Sequence, residues 1–229
     1  MRAALTIIFL FSIQSFIFSE TIVVPDDHAT IQEAIDASDH HDTVIVKPGT
    51  HEGPINFRGK KITVKSEQGP LVTAIDGRQN GSVVIFWNNE VTNSVLDGFT
   101  ITNGLSNFLG GYGGGIDCQN TAPMIVNNII SGNTATSGGG GIWCDRGSTL
   151  MVNNTILWDD SASIGPEIAI GSEDKPSSLT TIRSFDVDGG IASIVFGTIP
   201  PTWQSGEQYP FQALIDFTVL TNLTVLRVE

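Results

Sequence analysis

The chain has 229 residues, of which 40% are hydrophobic and 15% are charged, and its formal net charge is −13. This length and hydrophobic content are sufficient for one buried core and exclude a disordered chain, so we expect a single folded domain. The excess of acidic side chains repels phosphate backbones and anionic lipid headgroups, which excludes nucleic acid and acidic membranes as partners.

The N-terminal segment, residues 1–19, is typical of a secretory signal peptide. Arg2 supplies a positive charge, an apolar run follows from Ala3 to Ile13, and the stretch ends in the small residue Ser19. The alternative interpretation is a membrane anchor, but the apolar run is short for a span of about 20 residues. We therefore expect a secreted or cell-surface protein with no transmembrane span once residues 1–19 are removed.

A short helix is predicted next, over residues 30–37. Thr30 and Glu33 have the spacing of a capping box, in which the side chain of each residue bonds to the backbone N–H of the other. Ile31, Ala34 and Ile35 lie on one face of this helix. We expect the helix to cover the open end of the repeat structure that follows it.

From about residue 40 the sequence consists of short β-branched runs separated by Gly, Asn, Ser and Asp. Examples are DTVIVKPG, KITVKS, FTITNG and MIVNNIIS. Such runs predict strands of four to six residues joined by turns. The pattern continues to about residue 195, whereas IPPTW breaks it, and we expect residues 196–229 to pack on or cap the repeat structure.

Two segments of the chain repeat at a fixed offset of 26 in residue number. The matching pairs are Gly113 and Gly139, Ile116 and Ile142, Cys118 and Cys144, Val126 and Val152, Asn127 and Asn153, and Asn128 and Asn154. A unit of this length with three short strands fits one coil of a parallel β-helix, whereas a propeller blade needs about 40 residues. Matching residues would then stack about 4.8 Å apart, as aliphatic ladders inside and asparagine ladders at a turn.

A resemblance to a known family rests on the segments IVVPDDHATIQEAIDASDHHDTVIVKPGTHEGPINFRGKKITVKSEQGP, AIDG, LDGFTITNG, GGGIDC and SGN. These segments resemble the secreted right-handed parallel β-helix proteins of bacteria, within the pectin lyase-like superfamily. The resemblance implies an all-β, single-stranded right-handed parallel β-helix over residues 20–195. That superfamily contains lyases, polygalacturonases, esterases and surface proteins, so the resemblance leaves the activity open.

The residues do not match the catalytic patterns of the enzymes that this fold resembles. Lyases of this kind use an arginine base and calcium, but Arg146 is the one basic residue between Gln79 and Asp174. The pair Asp159 and Asp160 matches part of a polygalacturonase trio, but the expected histidine-glycine motif is absent, and we interpret the pair as a solvated turn. Pectin methylesterases share the TIQEAID start, whereas their later glutamine and aspartate motifs are absent.

Strand alternation predicts one candidate site on two neighbouring coils, at the outward positions of the repeat. The outward residues are Asp117, Gln119, Trp143 and Asp145. The Cα atoms of Asp117 and Asp145 should lie roughly 8 Å apart, and an inverting glycosidase holds its two carboxyl groups about 6.5 to 9.5 Å apart. An indole between acids also suits stacking on a sugar. A solvated acidic surface, a glycan-binding site and a catalytic pair remain open.

Two cysteines in a secreted chain leave a disulfide open as the alternative to thiols, whereas the histidines predict no metal site. Cys118 and Cys144 would stack at a permitted Cα distance, but their Cβ atoms would point the same way and spoil the disulfide torsion, so we expect buried thiols. The four histidines lack the spacing of zinc ligands. We therefore predict no metal and no cofactor.

The sequence favours a structural, adhesive or glycan-binding protein without catalysis. The alternative is a polysaccharide-degrading enzyme, either a glycoside hydrolase or a lyase. The expected partner is a polysaccharide or a glycan of the cell envelope, and the protein is expected to be a monomer.

Overall fold

The structure is a computed structural model that describes residues 19–108, 110–170, 180–187, 194–196 and 213–216. The predicted signal peptide, apart from its last residue, lies outside the described residues. The same holds for the C-terminal segment, apart from residues 196 and 213–216. In the described part of the chain, no helix has both the length and the apolar character that a membrane span requires.

The described chain forms one helix and 20 strands. They are β1 (Thr21–Val24), α1 (Ile31–Ala37), β2 (Thr43–Val46), β3 (Gly49–Glu52), β4 (Ile55–Asn56), β5 (Thr63–Ser66), β6 (Thr73–Asp76), β7 (Val84–Phe86), β8 (Val95–Asp97), β9 (Thr100–Thr102), β10 (Leu105–Ser106), β11 (Ile116–Gln119), β12 (Met124–Val126), β13 (Ile129–Ser131), β14 (Thr134–Ala135), β15 (Ile142–Asp145), β16 (Met151–Trp158), β17 (Ile168–Ile170), β18 (Thr180–Val187), β19 (Ile194–Phe196) and β20 (Ala213–Asp216).

The strands wind into a solenoid with three faces, and each strand pairs in parallel with the matching strand of the next coil. Face A contains β1, β2, β5, β8, β12 and the first half of β16, and face B contains β3, β6, β9, β13 and the second half of β16. Face C contains β4, β7, β11, β15, β17 and β19. The predicted all-β, single-stranded parallel β-helix is confirmed.

The core is a set of aliphatic ladders that fill the lumen of the solenoid. On face A the ladder runs through Val44, Val64, Leu96, Ile125 and Val152. On face C it runs through Ile55, Val84, Ile116, Ile142 and Ile168. All ten side chains are fully buried. Burial of each such side chain contributes about 1.5–3 kcal/mol, and this makes the lumen the main source of stability.

The predicted repeat offset is correct on face C and wrong on face A. Ile116 pairs with Ile142 and Cys118 with Cys144, as predicted. On face A, however, Ile125 pairs with Val152 and Val126 pairs with Asn153, which is an offset of 27. Val126 is therefore half-buried on the outside, and it does not stack on Val152 in the lumen.

The shift arises in the turn between face C and face A. Gln119 pairs with Asp145, but Met124 pairs with Met151, so the later coil has one residue more between these positions. That residue belongs to a β-turn in which the N–H of Ser148 donates to the carbonyl of Asp145 over 3.1 Å. The identical spacing of the two sequence segments conceals this longer turn.

The predicted stacking of Asn127 on Asn153 and of Asn128 on Asn154 is wrong by one residue for the same reason. Asn154 Nδ2 donates to Asn127 Oδ1 over 2.7 Å, and both residues are left-handed, with φ of 48° and 57°. Asn127 Nδ2 donates in turn to Asp97 Oδ1 over 2.7 Å. A ladder of polar side chains does lie at this position, and its members are Asp97, Asn127 and Asn154.

The buried Asn128 serves the turn in a different way. Its Oδ1 accepts the N–H of Phe99 over 2.8 Å, and its Nδ2 donates to the carbonyl of Leu96 over 3.0 Å. Both bonds satisfy backbone groups of the preceding coil that strand pairing leaves open, and an unsatisfied buried group would be destabilising. Asn128 thus joins two coils at the corner between faces A and B.

Helix α1 covers the first coil, as predicted. Thr30 is its N-cap, and the capping box with Glu33 is present. The side chains that face the lumen are Ile31, Ala34 and Ile35, all fully buried. At the other end, the ammonium group of Lys60 donates to the carbonyls of Ile35, Asp36 and Ser38 over 2.7, 2.8 and 2.7 Å. A cation at the C-terminal end of a helix is favourable, and this one fixes the helix to the coil beneath it.

Candidate functional site

The structure brings the four predicted site residues together on face C. Asp117 and Gln119 lie on β11, and their partners in register on β15 are Trp143 and Asp145. The predicted strand alternation also places Cys118 and Cys144 inside the solenoid, and this is correct because both side chains are fully buried in the lumen. The glycan-binding role of the four residues stays a prediction.

The prediction that these residues form an exposed surface is wrong. Trp143 is 3% exposed, Asp117 and Asp145 are buried, and Gln119 is half-buried. The ring of Tyr112 stacks on Trp143, with 4.2 Å between the ring centroids and 23° between the planes. Trp143 therefore has no open face on which a sugar ring can stack.

Glycine-rich backbone covers the outer side of β11 and β15. A Cβ atom on Gly138 would lie 3.0 Å from the Trp143 ring, and one on Gly113 would lie 2.7 Å from Cβ of Asp117. Gly113 and Gly139 are both left-handed, with φ of 63° and 62°. The repeated glycines let the chain pass directly over the strands, and this explains why both coils carry them.

The carboxylate of Asp117 is buried beneath this cover but remains hydrogen-bonded. Gln119 Nε2 donates to its two oxygens over 3.3 and 3.1 Å, and the indole N–H of Trp87 also donates to it. Burial raises the pKa of Asp117 to about 7; the hydrogen bonds from Gln119 and Trp87 oppose this shift, while the charge of Asp145 adds to it. At neutral pH, Asp117 therefore exchanges between its two protonation states.

Trp87 is the exposed aromatic side chain at this site, and the sequence repeat does not indicate it. It is 40% exposed and directly follows Phe86, which pairs with Cys118. One residue further along the same register, Trp87 lies level with Gln119. The strand SVVIFW is visible in the sequence, but Phe86 and Cys118 are further apart in the chain than Cys118 and Cys144, so the repeat offset does not reveal the pairing.

Amide side chains surround Trp87 at the corner where face C ends. Asn88 Nδ2 donates to Asn56 Oδ1 over 3.1 Å, and Asn120 Nδ2 donates to Asn89 Oδ1. We call this corner the Trp87 surface; its residues are Trp87, Asn88, Asn89, Gln119, Asn120 and Arg146. None of these six residues is acidic, although the chain carries 24 acidic side chains. The surface presents an indole, amides and one guanidinium to solvent.

The two cysteines are thiols, as predicted. Cys118 and Cys144 lie side by side in the face C ladder, fully buried, and no disulfide joins them. Burial raises the pKa of the Cys118 thiol well above its usual value. A thiol in this environment stays protonated and packs as a small apolar side chain.

The interpretation of Asp159 and Asp160 as a solvated turn is correct for one residue and wrong for the other. Asp159 is exposed and left-handed, with φ of 59°. Asp160 is buried because it takes the position of Asn133 in the next coil, where its Oδ1 accepts the N–H and the Nδ2 of Asn133 over 2.8 and 2.9 Å. In the part of the chain that the structure describes, no group of three or more His, Cys, Asp or Glu side chains is placed to hold a metal ion.

Comparison with known proteins finds similarity to solved structures only. No family model and no curated protein matches the chain. A pectin methylesterase variant in complex with a hexasaccharide is 12% identical with a TM-score of 0.47, and the match covers 83% of this chain and 74% of that one. Escherichia coli YbhC is 12% identical with a TM-score of 0.42, over 86% of this chain and 78% of that one. A second complex, of pectin methylesterase with another hexasaccharide, is 12% identical with a TM-score of 0.42, over 83% of this chain and 74% of that one.

Proposed function

We propose that the protein is a secreted or cell-surface β-helix protein that binds a neutral or weakly charged glycan at the Trp87 surface, without catalysis. The observation that carries this proposal is the exposed indole of Trp87. An indole has a large apolar face on which the C–H groups of a sugar ring pack, and this contact removes apolar area from water.

The hydrogen bond to Asp117 supports the proposal because it fixes the orientation of the indole. The N–H edge of Trp87 donates to the buried carboxylate, while the ring remains partly open to solvent. A side chain that is already ordered loses less conformational entropy when a ligand binds to it. Asp117 therefore acts as a positioning residue in this proposal, and it does not touch the sugar.

The amides around the indole support a sugar as the ligand. Gln119 and Asn120 donate within the site, to Asp117 and to Asn89, and the acceptor oxygens of Gln119 and Asn120 together with the Nδ2 donor of Asn89 are the amide atoms that can bond to hydroxyl groups. None of the six residues of the Trp87 surface carries a carboxylate, and Arg146 is exposed among them. A weakly acidic glycan is therefore tolerated there in spite of the net charge of the chain, which is −13.

The burial of the two acids supports binding rather than hydrolysis. A general acid must come within about 2.6–3.2 Å of the oxygen that it protonates. Asp117 lies beneath the backbone of Gly113, and Asp145 is also buried. A glycosidic oxygen at the surface does not reach either carboxyl group in this arrangement.

The test uses the chain without residues 1–19 and a panel of neutral and uronic acid polysaccharides. Affinity electrophoresis measures retention, and assays for new reducing ends and for unsaturated sugars measure catalysis in the same samples. We expect saturable retention on at least one polysaccharide, no product, and a loss of affinity of about tenfold or more in Trp87→Ala.

The matched control is Trp158→Ala, since Trp158 is 51% exposed at the end of β16 on face B. We expect it to retain the polysaccharide like the parent protein. Equal retention by both variants would reject the Trp87 surface as the binding site. Product formation by the parent protein would favour the alternative hypothesis, a polysaccharide-degrading enzyme, over binding without catalysis. If no polysaccharide of the panel retains the protein, the glycan-binding proposal is rejected in favour of a structural role.

A further inference from the structure

Two acidic side chains meet in the interior at the corner between faces B and C. Asp160 follows the end of β16 and is 7% exposed, and Glu167 precedes β17 and is 2% exposed. The N–H of Asp160 donates to Glu167 Oε1 over 3.3 Å, and Oδ2 of Asp160 and Oε2 of Glu167 are both buried. This contact joins the beginning and the end of one corner loop.

The rest of the surroundings of Asp160 is neutral. Its Oδ1 accepts two hydrogen bonds from Asn133, and its Oδ2 is buried without an N–H or hydroxyl donor among the described residues. Oδ2 lies next to Gly141 and Leu157. A Cβ atom added to Gly141 would lie 2.6 Å from Oδ2 of Asp160 and 3.2 Å from Cδ2 of Leu157. Because Asn133, Gly141 and Leu157 do not titrate, Glu167 is the titratable group that faces Asp160 in the described part of the chain.

We propose that Asp160 and Glu167 share one proton at neutral pH and form a pH-sensitive clasp that closes the corner between β16 and β17. With the proton in place, one carboxyl group donates to the other. Once the proton is lost, two like charges lie side by side in a buried corner, and the repulsion pushes the two ends of the loop apart.

The titration behaviour of the corner supports this geometry. Burial raises the pKa of Asp160 to about 9; the hydrogen bonds from Asn133 oppose the shift, and the charge of Glu167 adds to it. In the unfolded chain an aspartate titrates near its ordinary pKa of about 3.9. Above the unfolded value the folded protein holds a proton that the unfolded chain releases, so the contribution of Asp160 to the free energy of unfolding falls as pH rises from about 4 through the raised folded pKa.

Asp160→Asn tests the clasp because an amide imitates the protonated carboxyl group. The amide oxygen accepts from Asn133, and the amide nitrogen donates to Glu167 at every pH. Asp159→Asn is the matched control, since it removes the same charge from the adjacent exposed residue. The measurement is the thermal midpoint from about pH 5 to about pH 10, together with proton uptake on folding from calorimetry in buffers of different ionisation enthalpy.

We expect the parent protein and Asp159→Asn to lose stability across this pH range, and we expect a flatter pH profile for Asp160→Asn. On folding, the first two proteins should take up about one proton more than Asp160→Asn does. Parallel profiles for all three proteins would overturn the clasp. A midpoint that millimolar calcium raises in the parent protein but not in Asp160→Asn would also overturn it, because a cation would then neutralise the pair.

A direct measurement keeps the proposal testable if Asp160→Asn does not fold. Carbon NMR of the side-chain carboxyl groups in the parent protein reports each titration separately. We expect one carboxyl group of the pair to remain protonated at neutral pH and to titrate on the alkaline side. Two carboxyl groups that are both ionised at about pH 6 would reject the shared proton.

Discussion

The indole N–H of Trp87 donates a hydrogen bond to the carboxylate of Asp117, which lies on the neighbouring coil of face C. The bond links an exposed side chain to a buried acid whose pKa burial raises to about 7. The orientation of the surface indole thus depends on the ionisation of a group beneath it. A change of pH near neutrality is expected to alter both the stability of this coil and the order of Trp87.

The stability of the protein should therefore respond to Asp117 between about pH 5 and about pH 8. The folded pKa lies above the unfolded value of about 3.9, so this group contributes less stability as pH rises through that range. We expect the parent protein to lose about 2.5 kcal/mol more than Asp117→Asn over the interval. Chemical unfolding at the two pH values checks this, and an equal loss in both proteins would show that Asp117 titrates normally.

The register on face A makes a sharp prediction for two adjacent residues. Ile125→Asp places an unpaired charge in the lumen and should destabilise the protein by several kcal/mol, on the order of 4. Val126→Asp lies on the outer side of the same strand and should cost about 1 kcal/mol or less. Thermal unfolding of both variants decides the register. A larger loss of stability in Val126→Asp than in Ile125→Asp would instead support the stacking of Val126 on Val152 that the sequence repeat predicts.

The attachment of the N-terminal helix depends on Lys60. Lys60→Met keeps most of the side-chain volume but removes three hydrogen bonds to carbonyls at the end of α1, and we expect a loss of roughly 2 kcal/mol. Lys61→Met is the matched control, because Lys61 is exposed and adjacent. Amide hydrogen exchange in residues 31–37 should increase in the first variant alone. Unchanged exchange there would show that apolar packing holds the helix without Lys60.

The two thiols should be inaccessible in the folded protein. Cys118 and Cys144 are fully buried, and burial raises the pKa of Cys118, so neither thiolate formation nor reagent access is favourable. We expect mass spectrometry to find no alkylation by iodoacetamide under native conditions and two alkylated cysteines after unfolding. Rapid modification of the native protein would contradict the ladder.

The stacking that the sequence repeat predicts is correct on one face of the solenoid and displaced by one residue on another. Ile116 and Ile142 stack as expected because the length of the coil along face C equals the offset between the two sequence repeats. Val126 is misplaced because a single extra residue in the Asp145 turn moves the register of the next face. Turn length is a local property, but its effect on register is visible only after the coils are assembled.

The candidate site was harder to predict because its exposure depends on distant segments. Trp143 alternates outward as expected, yet Tyr112 covers it, and nothing in the strand pattern shows where that ring lies. Trp87 was missed because coils of this solenoid differ in length, so its partner does not share the repeat offset. The burial of Asp160 likewise depends on Asn133, a residue of the preceding coil.

The glycines that the two repeats share provide the last prediction. Gly113→Ala would put a Cβ atom 2.7 Å from Cβ of Asp117 and 2.7 Å from the carbonyl oxygen of Ile116, in a left-handed residue with φ of 63°. Gly147 is also left-handed, with φ of 79°, but an added Cβ atom there meets nothing within 4 Å. Both substitutions to alanine carry the strain of the left-handed conformation, about 1 kcal/mol.

The difference between these two variants therefore isolates the close approach of the backbone to β11. We expect Gly113→Ala to lose at least about 2 kcal/mol more than Gly147→Ala in chemical unfolding. The displaced backbone should also expose the acid beneath it, so the pKa of Asp117 should fall toward the ordinary carboxyl value in carbon NMR titrations. Equal stabilities and an unchanged titration would mean that the glycine-rich segment does not cover Asp117 in solution.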